Sequence, residues 1–285
     1  MRANILNYIE LTKPRLTLMA LATALSGYYL GSEGPLRFVP LLHVMVGAGL
    51  VGGGANALNQ YLEREDDAKM DRTKERPLPS KKINEQNALF FGLFLALAGM
   101  AHLYFFTHPI SAFLGLVTLL TYLLLYTPLK QKTWLNTFVG AIAGALPTLI
   151  GWSAATGKIP GLKAWVFFLI LFTWQMPHFF AIAWVYREDY KSGGFQMLST
   201  RDISGQRTGI QIALFSALLF AVSLLPPFVG ITGFLYFSAA FFSGLLFLTF
   251  TLYAATHKIS YAKQIVAASI FYLAILNIFL CFDKV

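Results

Sequence analysis

Residues 38–71 read FVPLLHVMVGAGLVGGGANALNQYLEREDDAKMD, and no Asp, Glu, Lys or Arg interrupts the run until Glu63. An α-helix rises 1.5 Å per residue, so about 20 apolar residues cross the roughly 30 Å hydrocarbon layer of a bilayer. Residues 37–60 are therefore read as a membrane span whose continuation carries acid out of the lipid. Eight further apolar runs lie at about 15–31, 87–106, 109–127, 134–154, 164–186, 208–229, 231–254 and 264–282. The expected fold is all-α: a polytopic membrane protein, a nine-transmembrane-helix bundle forming a single integral membrane domain over 1–285. Thr107 to Pro109 separates one pair of spans and a short turn after Pro226-Pro227 another, so both pairs read as tight hairpins.

Composition agrees. Of 285 residues, 56% are hydrophobic and only 12% charged, against about 25% charged in soluble domains, and the mean hydropathy is +0.61. Disorder and a water-soluble enzyme are excluded. A lone cysteine, Cys281, can form neither an internal disulfide nor a cysteine metal cluster. The first run follows Lys13 and Arg15 but lacks a small-residue cleavage site before a polar domain, and is read as a retained helix rather than a signal peptide. The formal charge of +9 does not point to nucleic acid, because the basic residues sit in loops between spans. Of the 22 Lys and Arg, 18 fall on the face bearing the N-terminus; the other face receives only Arg37, Lys158, Lys163 and Lys284. The positive-inside rule then places the N-terminus in the cytoplasm and the C-terminus across the cell inner (plasma) membrane.

The carboxylates locate the chemistry, since a charge at the bilayer centre costs about 2.5 to 3.5 kcal/mol even on insertion scales. Glu63, Glu65, Asp66, Asp67, Asp71, Glu75 and Glu85 crowd into one loop, and Glu188 and Asp189 open another on the same face. Asn59, Glu63, Asp67 and Asp71 recur every four residues, which on a continuing helix stacks them along one side. Mg²⁺ takes one or two carboxylates while phosphate oxygens complete its octahedron, so this ladder suits a metal-diphosphate. Arg64, Lys69, Arg72, Lys74 and Arg76 interleave with it and could meet the phosphate charge. The alternative is a solvated loop whose charges pair with one another, as Glu65 with Lys69. Asn59 lies too deep for a purely solvated face, and Arg76-Pro77-Leu78-Pro79 should fix the backbone.

Other polar marks lie nearby in sequence space. Tyr126 and Lys130 close the fourth span, either reaching a diphosphate or serving as an interfacial aromatic and a snorkelling lysine. Gly140, Gly144, Pro147 and Gly151 read as a helix-packing stripe. Trp174, Gln175 and His178 flank Pro177 inside an apolar run, where polar groups line a cavity or bond between helices.

Taken together, these residues resemble the UbiA superfamily of intramembrane prenyltransferases. Asn59 to Asp67 looks like its Asn-x-x-x-Asp-x-x-x-Asp element. Lys69 to Pro79, Tyr126 to Lys130, Gly151 to Gly157, Trp174-Gln175-Met176-Pro177-His178-Phe179 and Arg187 to Tyr190 are similar to its heme-modifying branch, the protoheme IX farnesyltransferases. The resemblance implies transfer of a farnesyl group from farnesyl diphosphate to a vinyl group of heme b, giving heme O and diphosphate. It implies Mg²⁺ on Asn59, Glu63 and Asp67, with Asp71 extending the ladder; Arg72, Arg76 and Lys130 on the diphosphate; and a heme or second site at Trp174, His178, Arg187 and Asp189. Asn59, Glu63, Asp67 and Lys130 are the expected catalytic set, and heme A synthase or terminal oxidase assembly the expected downstream partner. Two departures stand out: Glu63 replaces the first Asp of the ladder, and Tyr186 and Tyr190 occupy the family's second Asp-x-x-x-Asp element, which puts a second metal in doubt. Rival readings are a prenyltransferase of quinone precursors and a transporter of an anionic lipid or porphyrin.

Overall fold

The computed structural model describes residues 2–257 and 259–285. Lys258 and the Arg2 side chain, both counted in the charge asymmetry, lie outside the described residues. A short helix α1 (Arg2–Leu11) leads into α2 (Pro14–Gly31), α3 (Phe38–Asp67), α4 (Glu85–Phe106) and α5 (Pro109–Leu129). Next come α6 (Asn136–Thr156), α7 (Leu162–Val185) and two short helices, α8 (Arg187–Ser192) and α9 (Leu198–Arg201). The chain finishes with α10 (Gln206–Ser223), α11 (Phe234–Thr256) and α12 (Ala262–Phe282).

Each apolar run becomes one long helix, nine among the described residues. Seven of them, α3 to α7, α11 and α12, are long and apolar enough to cross a membrane, which makes this a multi-pass membrane protein. α2 and α10 have 18 residues each and begin in polar turns. The run expected at 208–229 is cut short at Ser223, because Pro226 and Pro227 turn the chain; their carbonyls accept from Ile231 and Gly230 instead.

Lipid offers no hydrophobic drive for helices to associate, so close backbone approach through small residues takes over. A Cβ on Gly151 would lie 1.9 Å from the Ala24 carbonyl oxygen, and one on Gly27 2.1 Å from that of Thr148, so α2 and α6 touch backbone to backbone. Gly54 and Gly99 join α3 to α4 in the same way. Large apolar side chains such as Phe94, Phe105, Phe242 and Phe271 point outward. α7 is the most enclosed span and runs unbroken through Pro177. The C-terminal residues clasp the far ends of two helices, α11 and α2. Asp283 Oδ2 accepts from the Tyr236 amide at the start of α11 (2.7 Å), and Lys284 donates to the Tyr29 carbonyl (2.7 Å) and to that of Ser32 at the end of α2.

Candidate active site

α3 continues past its apolar section and places Asn59, Glu63 and Asp67 on three successive turns, with exposures of 0%, 5% and 1%. Buried acid needs partners, and each position has one. Lys13 Nζ donates to Asn59 Oδ1 (2.7 Å), Lys130 Nζ to Glu63 Oε1 (2.7 Å) and Arg76 Nη1 to Asp67 Oδ2 (2.7 Å). The Asn59 amide donates in turn to Thr127 Oγ1 (3.0 Å). Thr127 follows a π-helical turn in α5 over Thr121–Tyr126, where the Thr127 backbone N–H reaches the Tyr122 carbonyl five residues back; its hydroxyl donates to the same oxygen at 2.9 Å.

The helix stops at Asp67, and this corrects the expected ladder. The Thr73 hydroxyl donates to the Asp67 carbonyl (2.8 Å), so the chain turns instead of adding another helical turn. Asp71 consequently leaves the stack. It is exposed and bonded to Lys74 at 2.6 Å, whose hydrogen bond and charge hold the Asp71 carboxyl below the usual range and raise the lysine. Lys69 pairs with Asp66 (3.0 Å), while Arg64 lies over the Tyr61 ring (4.7 Å) and beside Glu85 (2.8 Å). Arg64, Lys69 and Lys74 therefore face away from the buried carboxylates. Arg76 alone of the loop's basic residues pairs with the stack, and two residues on, Leu78 joins a cluster with Leu11, Ala57, Ile83 and Ala88.

Two other cations lie over aromatic faces. Lys130 Nζ sits 4.5 Å from the Tyr126 ring centre and 5.5 Å from that of Phe195. Burial opposes its charge, yet Glu63 beside it outweighs that and raises the amine above the ordinary lysine range. The Arg72 guanidinium lies 4.9 Å from the Tyr186 ring and 5.6 Å from that of Tyr190. The second element thus presents two aromatic faces to a cation. Sequence reasoning missed Lys13, taking it as an orientation marker, and Thr127. Lys13 holds a left-handed backbone (φ 47°), and burial, followed by repulsion from Arg76, lowers its amine to about 7.

Beyond Asn56, Tyr122 and Tyr126 opens a cavity of about 320 Å³ walled by α2, α3, α5, α6 and α7, at the small end of ligand pockets. Trp174, Gln175 and His178 form its α7 wall. The Trp174 and His178 rings stack at 4.8 Å and 21°. His178 Nδ1 lies 2.7 Å from the Ser269 hydroxyl, which also reaches the Val266 carbonyl (2.7 Å), so Ser269 anchors one edge of the imidazole and leaves Nε2 without that bond. Gly140 and Gly144 of the expected packing stripe border this cavity: a Cβ there would meet the Tyr126 ring at 2.7 Å and Gln175 Oε1 at 2.1 Å. Arg187 and Asp189 do not join Trp174 and His178. Arg187 begins nine residues beyond His178, about 14 Å along a helix axis, beside Glu188 (3.4 Å) and over the Trp184 ring, and half-buried Asp189 lies in the same short helix.

The donor set suits a hard divalent ion. Among the described residues no three His, Cys, Asp or Glu converge, and two carboxylates plus an amide is what Mg²⁺ uses when phosphate supplies the remaining oxygens. The description of the UbiA prenyltransferase family matches residues 20–278. The chain belongs to the UbiA prenyltransferase family. A protoheme IX farnesyltransferase of Solibacter usitatus is 42% identical, covering 98% of each chain. That of Opitutus terrae is 43% identical over 85% of this chain and 81% of its own. Among solved structures, digeranylgeranylglyceryl phosphate synthase superposes with a TM-score of 0.80 at 18% identity, over 99% of both chains. A UbiA homologue from Archaeoglobus fulgidus with DMAPP and Mg²⁺ bound gives 0.66 at 13% identity, over 97% of this UbiA-family chain and 99% of that one. Those likenesses establish the UbiA fold.

Proposed function

We propose that this chain transfers the farnesyl group of farnesyl diphosphate to a vinyl group of heme b, the route to heme O. The observation that carries the reading is the adjacency of two unlike compartments. A buried polar face at Asn59, Glu63 and Asp67 meets, at Tyr122 and Tyr126, an apolar cavity ending in Trp174 and His178. The relatives named protoheme IX farnesyltransferase support the choice of acceptor.

In the reaction the bond between C1 of farnesyl and the diphosphate oxygen breaks, its electron pair leaving with diphosphate. The vinyl group donates its π electrons to C1, and water adds to the resulting cation with loss of a proton. Asn59, Glu63 and Asp67 would hold Mg²⁺, which would supply Lewis-acid stabilisation to the departing diphosphate. Lys130, Arg76 and Arg72 bind its oxygens and offset the charge that grows there. The Tyr122 and Tyr126 faces shelter the allylic cation and the apolar cavity keeps water from it. His178, its ring anchored at Nδ1 by Ser269, holds or orients heme. The charge asymmetry supports a position for this site on the cytoplasmic side of the inner membrane.

The test gives purified protein farnesyl diphosphate and Mg²⁺ with either heme b or 4-hydroxybenzoate, and reads the products by mass spectrometry. A farnesylated, hydrated heme is expected; prenylated 4-hydroxybenzoate without any heme product overturns the assignment. His178→Ala is expected to weaken heme binding while farnesyl diphosphate affinity persists, and the reverse result misplaces the residue.

A further inference from the structure

All three oxygens assigned to the metal already hold a cation. Lys13, Lys130 and Arg76 each sit 2.7 Å from their partners on Asn59, Glu63 and Asp67. A divalent ion on the same oxygens would face these charges at close range in a low-dielectric pocket, where repulsion is strong. The three cations reach α3 from three separate segments: the junction before α2, the end of α5 and the loop after α3. We propose that Lys13 is a fourth diphosphate-binding cation, and that Lys13, Lys130 and Arg76 leave the ladder for the diphosphate as the metal arrives, making metal and diphosphate binding mutually dependent. The proposal rests on the reading of this ladder as a metal-diphosphate site.

Lys13 is placed there by construction. Three successive carbonyls of its segment are fastened to amides of α3. Gln60 Nε2 donates to Glu10 O (3.2 Å) and Leu11 O (3.1 Å), and Asn56 Nδ2 to Thr12 O (3.2 Å). The next residue, Lys13, takes the left-handed backbone that lysine rarely adopts, least of all before a proline. Such conformations persist where the surroundings enforce them, and they gather at functional sites. Charge points the same way. Glu63 and Asp67 each match one cation, whereas the Lys13 partner is a neutral amide. Lys13 therefore gives up least by turning toward an anion, and its four-carbon stem lets it do so.

The experiment measures Mn²⁺ binding to the full chain in nanodiscs by electron paramagnetic resonance, with and without inorganic pyrophosphate. Wild type is expected to bind Mn²⁺ weakly alone and at least about tenfold tighter with pyrophosphate, within the usual range of coupling between sites. Lys13→Met should bind Mn²⁺ alone more tightly than wild type, bind pyrophosphate more weakly and lose most of the coupling. Lys13→Arg, which keeps the charge, should retain it. Equal coupling in wild type and Lys13→Met, or weaker Mn²⁺ binding alone in Lys13→Met, overturns the proposal. Should Asp67→Asn bind Mn²⁺ and pyrophosphate as wild type does, the metal-diphosphate reading itself fails, a result distinct from the other two.

Discussion

Glu63→Gln keeps the shape of the side chain and an acceptor beside Lys130 Nζ, but deletes the charge that makes a buried ammonium tolerable. Lys130 is 9% exposed and otherwise faces the rings of Tyr126 and Phe195. Removing one partner of a buried ion pair costs about 3 to 5 kcal/mol; with the amide still accepting a hydrogen bond, the low end of about 3 applies. At about 2 to 4 °C per kcal/mol for a chain approaching this size, the midpoint of thermal unfolding should fall by about 6 to 12 °C. Turnover should fall by about 10² or more, the usual cost of losing one charge-stabilising group. Glu63→Gln/Lys130→Met removes both charges and should recover most of the lost stability while staying inactive. The assay follows unfolding of the detergent-solubilised protein through exposure of its single cysteine, Cys281, alongside heme product. A wild-type midpoint in the single variant, or no recovery in the double, would refute the argument that this pair is an interdependent buried unit.

Asp67→Asn should abolish product formation, whereas Asp71→Asn, at an exposed carboxylate bonded to Lys74, should leave turnover at the wild-type rate; equal loss in both would restore Asp71 to the site. Gly151→Ala drives a Cβ to 1.9 Å from a backbone oxygen of α2, which no side-chain rotation relieves. Its cost should exceed the about 1 to 3 kcal/mol of ordinary overpacking, seen as loss of monodisperse protein on gel filtration. Gly161→Ala, with nothing within 4 Å of the new Cβ, should elute as wild type does. Asp283→Ala removes the acceptor at the start of α11 and, at about 1 kcal/mol for a helix cap, should lower the unfolding midpoint by about 2 to 4 °C with turnover intact. An unshifted midpoint would show that the C-terminal clasp contributes nothing.

The long helices were legible because each is an apolar run bounded by charge or proline, and seven of them among the described residues are of bilayer length, a signal that depends on no long-range contact. The stack of Asn59, Glu63 and Asp67 was legible for a related reason: spacing of four has meaning wherever a helix continues. Asp71 continued the spacing but not the helix, and what stops α3 is a hydrogen bond from Thr73 across the turn, which periodicity does not register. Lys13 was hidden by distance, since its partner Asn59 lies 46 residues away. A lysine immediately before a proline, at the mouth of the first span, was the one local sign of unusual backbone there. Gln175 and His178 drew notice as polar groups in an apolar run, but Ser269, which contacts His178, looks in sequence like any small residue in a span. Arg187 and Asp189 were grouped with them by nearness in sequence, although a helix separates residues along its axis.

The wide turn at Thr121–Tyr126 has a consequence for heredity as well as for geometry. An ordinary helix advances about 100° per residue, and a π turn stores an extra residue within the coil. Rewinding this stretch as an ordinary helix with every residue kept would swing Thr127 and Lys130 by about 100°, away from Asn59 and Glu63, whereas loss of one residue would remove the surplus and leave their aim unchanged. Hydropathy would scarcely change, and the span would still insert. The aim of the cation is kept by that surplus staying coiled here, so this segment should forgive the loss of one letter better than the rest of the span does.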